Sequence, residues 1–278
     1  MGKRAARGFP AWRAAATVAR MSENRFVPTQ GIHNLRDYGG WSTRDGGTVR
    51  TGLLYRSGQH VAASDADLAA LDALDIRTVI DLRGTSERER NVCRRSDRFS
   101  ALVIAYDGET SSSPPHMDVA PDTTTAEFAR ARMMAVYSRT PVNPAMTEMF
   151  GRYFRALDER EGGSLVHCFA GKDRTGIAAT LLLHVLGVSE GDQREEFLLT
   201  NAAPTQHVLR EQSVPGIEAK LGRSLDDDAI DALLGVRGEY LDHWRSEVAA
   251  VHGSLDGYLQ AIGVDDAMRS RLAARFVT

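Results

Sequence analysis

Residues 164–186 constrain this chain more than any other stretch. They read as a short apolar strand over 164–168, a tight loop containing Gly171, and an apolar helix that opens at Arg174 or Thr175 and runs to about Leu186, where Gly187 stops it. A loop that enters a helix N-terminus gathers amide N–H groups that have no helical acceptor, and the helix dipole adds partial positive charge. Such a loop binds an anion, phosphate above all. Its sequence is His167-Cys168-Phe169-Ala170-Gly171-Lys172-Asp173-Arg174-Thr175-Gly176. A cysteine at the mouth of such a loop is stabilised as its thiolate, the nucleophilic form. An arginine in the first helical turn can fold back and grip two phosphate oxygens at once. Its charge then follows those oxygens into a trigonal bipyramidal transition state. Cys168 is therefore expected as nucleophile and Arg174 as phosphate clamp.

The rest of the chain reads as a layered α/β frame. Apolar runs at 52–55, 77–81 and 101–106 are expected strands, the first running into Arg56-Ser57-Gly58 and the second ending at Asp81-Leu82-Arg83. Residues 64–74 read as a helix capped by Ser64 with Asp67 three residues on. Residues 127–137 read as a helix with exposed methionines. In 145–158, Met146, Met149, Phe150, Tyr153, Phe154 and Leu157 follow the helical period. Ser189 with Asp192 caps a further helix to about Thr200, and the last third is mostly helical, with breaks at Pro204, Pro215, Gly222, Gly253 and Gly263. Residues 31–47 read as turns, and 109–125 as a Ser-, Thr-, Pro- and Asp-rich loop. Strands alternating with helices predict a mostly parallel central sheet flanked by helices. One domain over 25–278 is expected, with 107–145 as a lid insertion and 1–24 as a disordered extension.

Charge and cysteine content exclude several classes. The net charge of −3 over 278 residues provides no global field toward nucleic acid or an anionic membrane. Two cysteines, Cys93 and Cys168, make no disulfide framework and fit a reducing, cytoplasmic setting. No run is apolar and long enough to span a bilayer. Lys3, Arg4, Arg7, Arg13 and Arg20 make the N-terminus basic, and Arg13 interrupts the only stretch that could serve as a signal core, so export stays a second reading. The histidines show no metal spacing, and neither a metal nor a cofactor is expected. Gly171-Lys172 is no nucleotide loop, because the first glycine of that motif would fall at Val166 and Asp173 replaces the magnesium-binding hydroxyl.

The loop resembles the C-x5-R loop of protein tyrosine phosphatases, and the full ten-residue string is similar to that of the atypical bacterial branch. That branch contains secreted mycobacterial and Listeria phosphatases acting on phosphotyrosine and phosphoinositides. Asn34-Leu35-Arg36-Asp37-Tyr38-Gly39-Gly40, Tyr55-Arg56-Ser57 and Asp81-Leu82-Arg83 resemble its N-terminal half, so the likeness covers roughly residues 30–201. The resemblance implies a protein tyrosine phosphatase-like fold and a cysteinyl-phosphate intermediate that water hydrolyses. It implies that His167 tunes the thiolate by hydrogen bonding, and that Thr175 offers its hydroxyl to the departing sulfur. The amides from Phe169 through Ala170, Gly171 and Lys172 to Arg174 would cradle phosphate, inorganic phosphate included.

The general acid stays open among Asp173, ranked first, Asp81, which could instead hold Arg174, and Asp107. Lys172 either holds a further ring phosphate, as in related phosphoinositide phosphatases, or is a solvated cation. Arg36-Asp37 reads as a structural pair near the sheet edge, and Cys93 as an ordinary residue. The expected partners are a phosphorylated protein or peptide, or a phosphoinositide. The competing readings are a lipid-directed phosphatase, a phosphate-binding module without catalysis, and a rhodanese-like sulfur transferase.

Overall fold

The computed structural model describes residues 25–110 and 125–278. The expected N-terminal extension and most of the expected loop at 109–125 lie outside the described residues. Five strands form one sheet: β1 (Arg36–Asp37), β2 (Leu54–Ser57), β3 (Ile76–Asp81), β4 (Leu102–Ala105) and β5 (Gly163–His167). Their order is β1-β2-β5-β3-β4, with β2, β5, β3 and β4 parallel and β1 antiparallel at one edge. The mostly parallel α/β sheet is thus the one the alternation of elements predicts. Strand β5 is buried along its whole length, as a central parallel strand must be. In register, Ser57 and Asp81 flank His167 on either side, so three strand ends meet where the Cys168 loop emerges. Open α/β sheets bind ligands at this carboxyl edge.

The helices are α1 (Asp65–Ala73), α2 (Thr85–Arg90), α3 (Ala126–Arg139), α4 (Pro144–Glu159), α5 (Asp173–Val185), α6 (Glu190–Leu198), α7 (Gln206–Leu221), α8 (Asp227–Leu234), α9 (Gly238–His252), α10 (Leu255–Ala261) and α11 (Asp266–Phe276). Helix α1 carries the capping box read from Ser64 and Asp67. One face of the sheet carries a thick apolar layer. There Leu54, Ile80 and Val166 pack with Phe150 and Phe154 of α4, Leu181 of α5 and Trp244 of α9. The other face is thinly covered, by Leu68 of α1 and the segments bearing Ile32, Leu35 and Phe99 over Tyr55, Val79 and Leu165. A third cluster joins Ala170 of the loop to Ala129 of α3, Leu209 and Ile217 of α7, and Leu233 of α8. The C-terminal third therefore braces the loop from outside.

Several local expectations are corrected. Pro215 does not break a helix. It lies inside α7, where burial of Val208, Leu209 and Ile217 outweighs the backbone hydrogen bond a proline removes. Met133 is fully buried, because α3 packs that face against α8 and α9. The turn-rich stretch 31–47 contains strand β1. Arg36 does not pair with Asp37. It binds Glu196, while Asp37 accepts from the amides of Gly39 and Gly52. Among the described residues no helix is long and apolar enough to cross a membrane.

Candidate active site

The loop from Cys168 to Lys172 joins β5 to α5. Gly171 has φ +65, and a Cβ there would lie 2.3 Å from the carbonyl of Ser57, so no other residue fits. The loop carbonyls are tied outward. That of Gly171 accepts from Asn34 Nδ2 and Arg56 Nη2, each at 2.8 Å, and that of Phe169 accepts from the Gln59 amide at 2.8 Å. A trans peptide points its N–H opposite its C=O, so the amides of Ala170 and Lys172 turn to the inner side. Behind this cradle, Glu196 binds both Arg36 (2.8 Å) and Arg56 (2.7 Å) with no exposure to solvent. Burial pushes the Glu196 carboxyl up, but the two guanidiniums outweigh it and hold it below its ordinary value. Burial and Arg56 together push Arg36 down to about 9. The Asn34-Leu35-Arg36 block and Arg56 thus act as the outer frame of the loop.

Cys168 and Arg174 are both nearly closed off, at 3% and 4% exposure. Arg174 meets Glu87 of α2 with two parallel bonds, 2.5 Å from Nη1 and 2.8 Å from Nη2. Nη1 also reaches the Leu82 carbonyl at 3.3 Å and the Thr110 hydroxyl at 3.2 Å. Burial alone would lower the pKa of Arg174, but Glu87 and then Cys168 more than reverse this and raise it. The guanidinium is therefore a permanent cation beside Cys168. Two buried donors here, Arg174 Nε and Thr175 Oγ1, have no partner among the described residues. Buried donors usually find an acceptor, and Arg56 Nε, Trp41 Nε1 and Trp244 Nε1 also lack one among the described residues. An oxyanion bound in the loop would supply acceptors, so the residues fit a phosphate. Sequence reasoning missed Glu87, since nothing in the run Glu87-Arg88-Glu89-Arg90 marks which carboxylate turns inward.

Asp81 does not hold Arg174. Its carboxylate takes Arg83 in a forked pair, Nε at 2.9 Å and Nη2 at 2.7 Å, with His167 Nε2 at 3.6 Å. Burial pushes this carboxyl up, yet His167 and Arg83 prevail and hold it well below the usual range. A carboxyl so held stays ionised and is a poor proton donor. His167 Nδ1 lies 3.3 Å from the Cys168 carbonyl oxygen, which ties the ring to the backbone of Cys168. Asp107 has a fully exposed side chain near Arg88 and stands outside the site. Cys93 is half-buried, a free thiol accepting from Arg83 Nη2 at 3.2 Å and the His60 amide at 3.3 Å.

Three buried imidazoles make a pH prediction. Burial lowers His33 and His167 to about 4 and holds His60 well below its ordinary value. Between pH 6.5 and 4 the unfolded chain binds protons that the folded one refuses. Stability should therefore fall as pH drops through that window, by up to about 1.4 kcal/mol per pH unit for each ring. A series of Tm values from pH 7.5 to 4.5 checks this, and a flat series would contradict it.

Asp173 opens α5, one residue earlier than the expected start, and is 4% exposed. Its Oδ1 accepts from Tyr137 Oη of α3 at 2.8 Å and from Lys172 Nζ at 3.1 Å. Lys172 is not solvated. It is fully buried, and its second bond goes to the Gly235 carbonyl at 3.2 Å. Ala170 is buried and Phe169 half-buried. Tyr137 has no signal in the sequence beyond helical spacing. Among the described residues no group of His, Cys, Asp and Glu is gathered to hold a metal ion.

Comparison with known proteins gives a consistent result. The model described as the tyrosine phosphatase family matches residues 27–278. A protein of Cupriavidus necator named as a tyrosine-protein phosphatase is 34% identical over 248 residues, covering 84% of this chain and 83% of its own length. The triple specificity protein phosphatase PtpB of Mycobacterium tuberculosis is 28% identical over 271 residues, covering 87% and 95%. The crystal structure of TpbA from P. aeruginosa aligns over 76% of this chain and 97% of that one, at 19% identity and a TM-score of 0.28, too low to bear on the fold.

Proposed function

Because the chain belongs to the tyrosine phosphatase family, we propose that it hydrolyses phosphomonoesters, phosphotyrosine first among them, through a cysteinyl-phosphate on Cys168. The observation that carries this reading is the loop itself: Cys168 beside a permanent Arg174 cation whose Nε, like the Thr175 hydroxyl, has no acceptor among the described residues. In the first step the Cys168 thiolate attacks phosphorus, the bond from phosphorus to the ester oxygen breaks, and Asp173 gives a proton to that oxygen. In the second, water attacks phosphorus, the S–P bond breaks, and the Asp173 carboxylate takes the proton of the water. Inorganic phosphate leaves. Arg174 and the loop amides stabilise the oxygens in both transition states. Thr175 Oγ1 is free to donate to the sulfur as it departs.

Geometry favours Asp173 over Asp81 and Asp107 as the acid. Tyr137 and Lys172 both bind Oδ1, so a transferable proton would ride on Oδ2. Asp173→Asn should slow a phosphotyrosine peptide, with its poor leaving group, about 10²–10⁴-fold, and an activated nitrophenyl phosphate far less. Equal losses on both would move the acid elsewhere. Lys172 is engaged inside the protein and supports an orienting role toward Asp173 more than contact with a ring phosphate. The deciding assay compares phosphotyrosine, phosphoserine and phosphothreonine peptides with a phosphoinositide panel. The highest kcat/KM is expected on phosphotyrosine, and preference for a phosphoinositide would overturn that order.

A further inference from the structure

A crevice of about 800 Å³ lies apart from the Cys168 loop, on the thinly covered face of the sheet, between α1 and residues 94–100. That volume is in the range of small-molecule sites. Its floor is apolar: Leu68 and Leu71 of α1, Ile76 and Val79 of β3, Leu165 of β5, and Phe99. Of the cations on its wall, Arg94 is matched by Asp65 and Arg77 by Asp75, both at 2.7 Å. Of the other two, exposed Arg98 and half-buried Arg95, neither has a carboxylate at ion-pair distance among the described residues, and Arg95 is the one held against the floor. Its guanidinium lies 4.6 Å over the Phe99 ring and bonds His60 Nδ1 at 2.7 Å. A half-buried cation with no carboxylate at bonding distance among the described residues, beside an apolar floor, matches a ligand with one acidic end and one apolar end.

We propose that this crevice binds a small amphiphilic carboxylic acid, its carboxylate on Arg95 and its chain along the Leu68–Leu165 floor. Occupancy reaches the Cys168 loop through His60. Since Nδ1 of that ring accepts from Arg95, its proton is on Nε2, 3.0 Å from Ser57 Oγ, which in turn donates to the Gly58 carbonyl at 2.8 Å. The ring stacks on His167 with centroids 5.1 Å apart and planes 27° from parallel. A carboxylate that draws Arg95 away leaves Nδ1 without its donor and frees a ring that packs on the neighbour of Cys168. Turnover should fall while substrate binding persists.

Isothermal calorimetry with octanoate and octanol tests the site. Octanoate should bind about tenfold more tightly than octanol, as expected for a charge-assisted pair. Arg95→Gln should erase that difference, and Ala69→Trp, which puts an indole into the crevice from the exposed side of α1, should abolish binding of both. Circular dichroism verifies that each variant is folded. Octanoate binding should be unchanged by saturating inorganic phosphate, and octanoate should lower kcat for nitrophenyl phosphate without raising KM. No binding, binding that survives Ala69→Trp, or competition with phosphate overturns the proposal. The calorimetric arm needs no phosphatase activity, so it fails or stands separately from the reading of Cys168.

Discussion

Cys168→Ser should lower turnover of nitrophenyl phosphate by about 10⁴-fold or more, the scale on which covalent enzymes respond to loss of their nucleophile. The variant should still bind inorganic phosphate. The two outcomes separate because two different parts of the loop produce them. Attack on phosphorus needs an ionised sulfur, and an alcohol at that position is not ionised at neutral pH. Binding needs the loop amides and Arg174, whose guanidinium is fixed by Glu87, the Leu82 carbonyl and Thr110 rather than by the sulfur. Steady-state rates and calorimetry with phosphate check both halves. A Cys168→Ser enzyme with ordinary turnover would remove the nucleophile assignment, and with it the cysteinyl-phosphate.

Glu87→Gln should cost about 3–5 kcal/mol of stability, as when one partner of a buried ion pair is removed, and should also depress kcat/KM. The pair is fully closed off, Arg174 at 4% and Glu87 at 1% side-chain exposure, and both carboxylate oxygens are used. An amide can accept only one of the two bonds and offers N–H groups to a guanidinium that cannot accept them. Arg174 would then be a buried cation without its forked carboxylate partner, and its fork would no longer be held toward the loop. Glu89→Gln, two residues on and exposed, is the control and should stay within about 0.5 kcal/mol of wild type. Urea unfolding midpoints and kcat/KM measured on both variants decide. A Glu87→Gln protein as stable and as active as the control would show that Glu87 neither compensates nor aims Arg174.

These two residues mark where sequence reading works and where it stops. Cys168 and Arg174 are legible because loop and helix lie in one continuous segment. The sheet class and the amphipathic helix α4 are legible because burial leaves a period in the string. Glu87 reaches Arg174 across 87 positions of chain and Tyr137 reaches Asp173 across 36. Neither interaction leaves a local pattern. The burial of Lys172 is of the same kind: a lysine in a polar loop looks solvated until α3 and the Gly235 carbonyl are folded over it. Pro215 shows the reverse error, a strong local signal overruled by packing.

By itself the sequence determined a mostly parallel α/β sheet and a strand–loop–helix segment carrying a cysteine and an arginine, because both follow from neighbours within a few residues. Only the tertiary structure decided which carboxylate anchors Arg174, which holds Arg83, and what orients Asp173. Those pairings depend on which distant charges end up buried together. An unpaired buried charge costs several kcal/mol, so the fold selects its partners by proximity in space, and the linear order of residues does not record it.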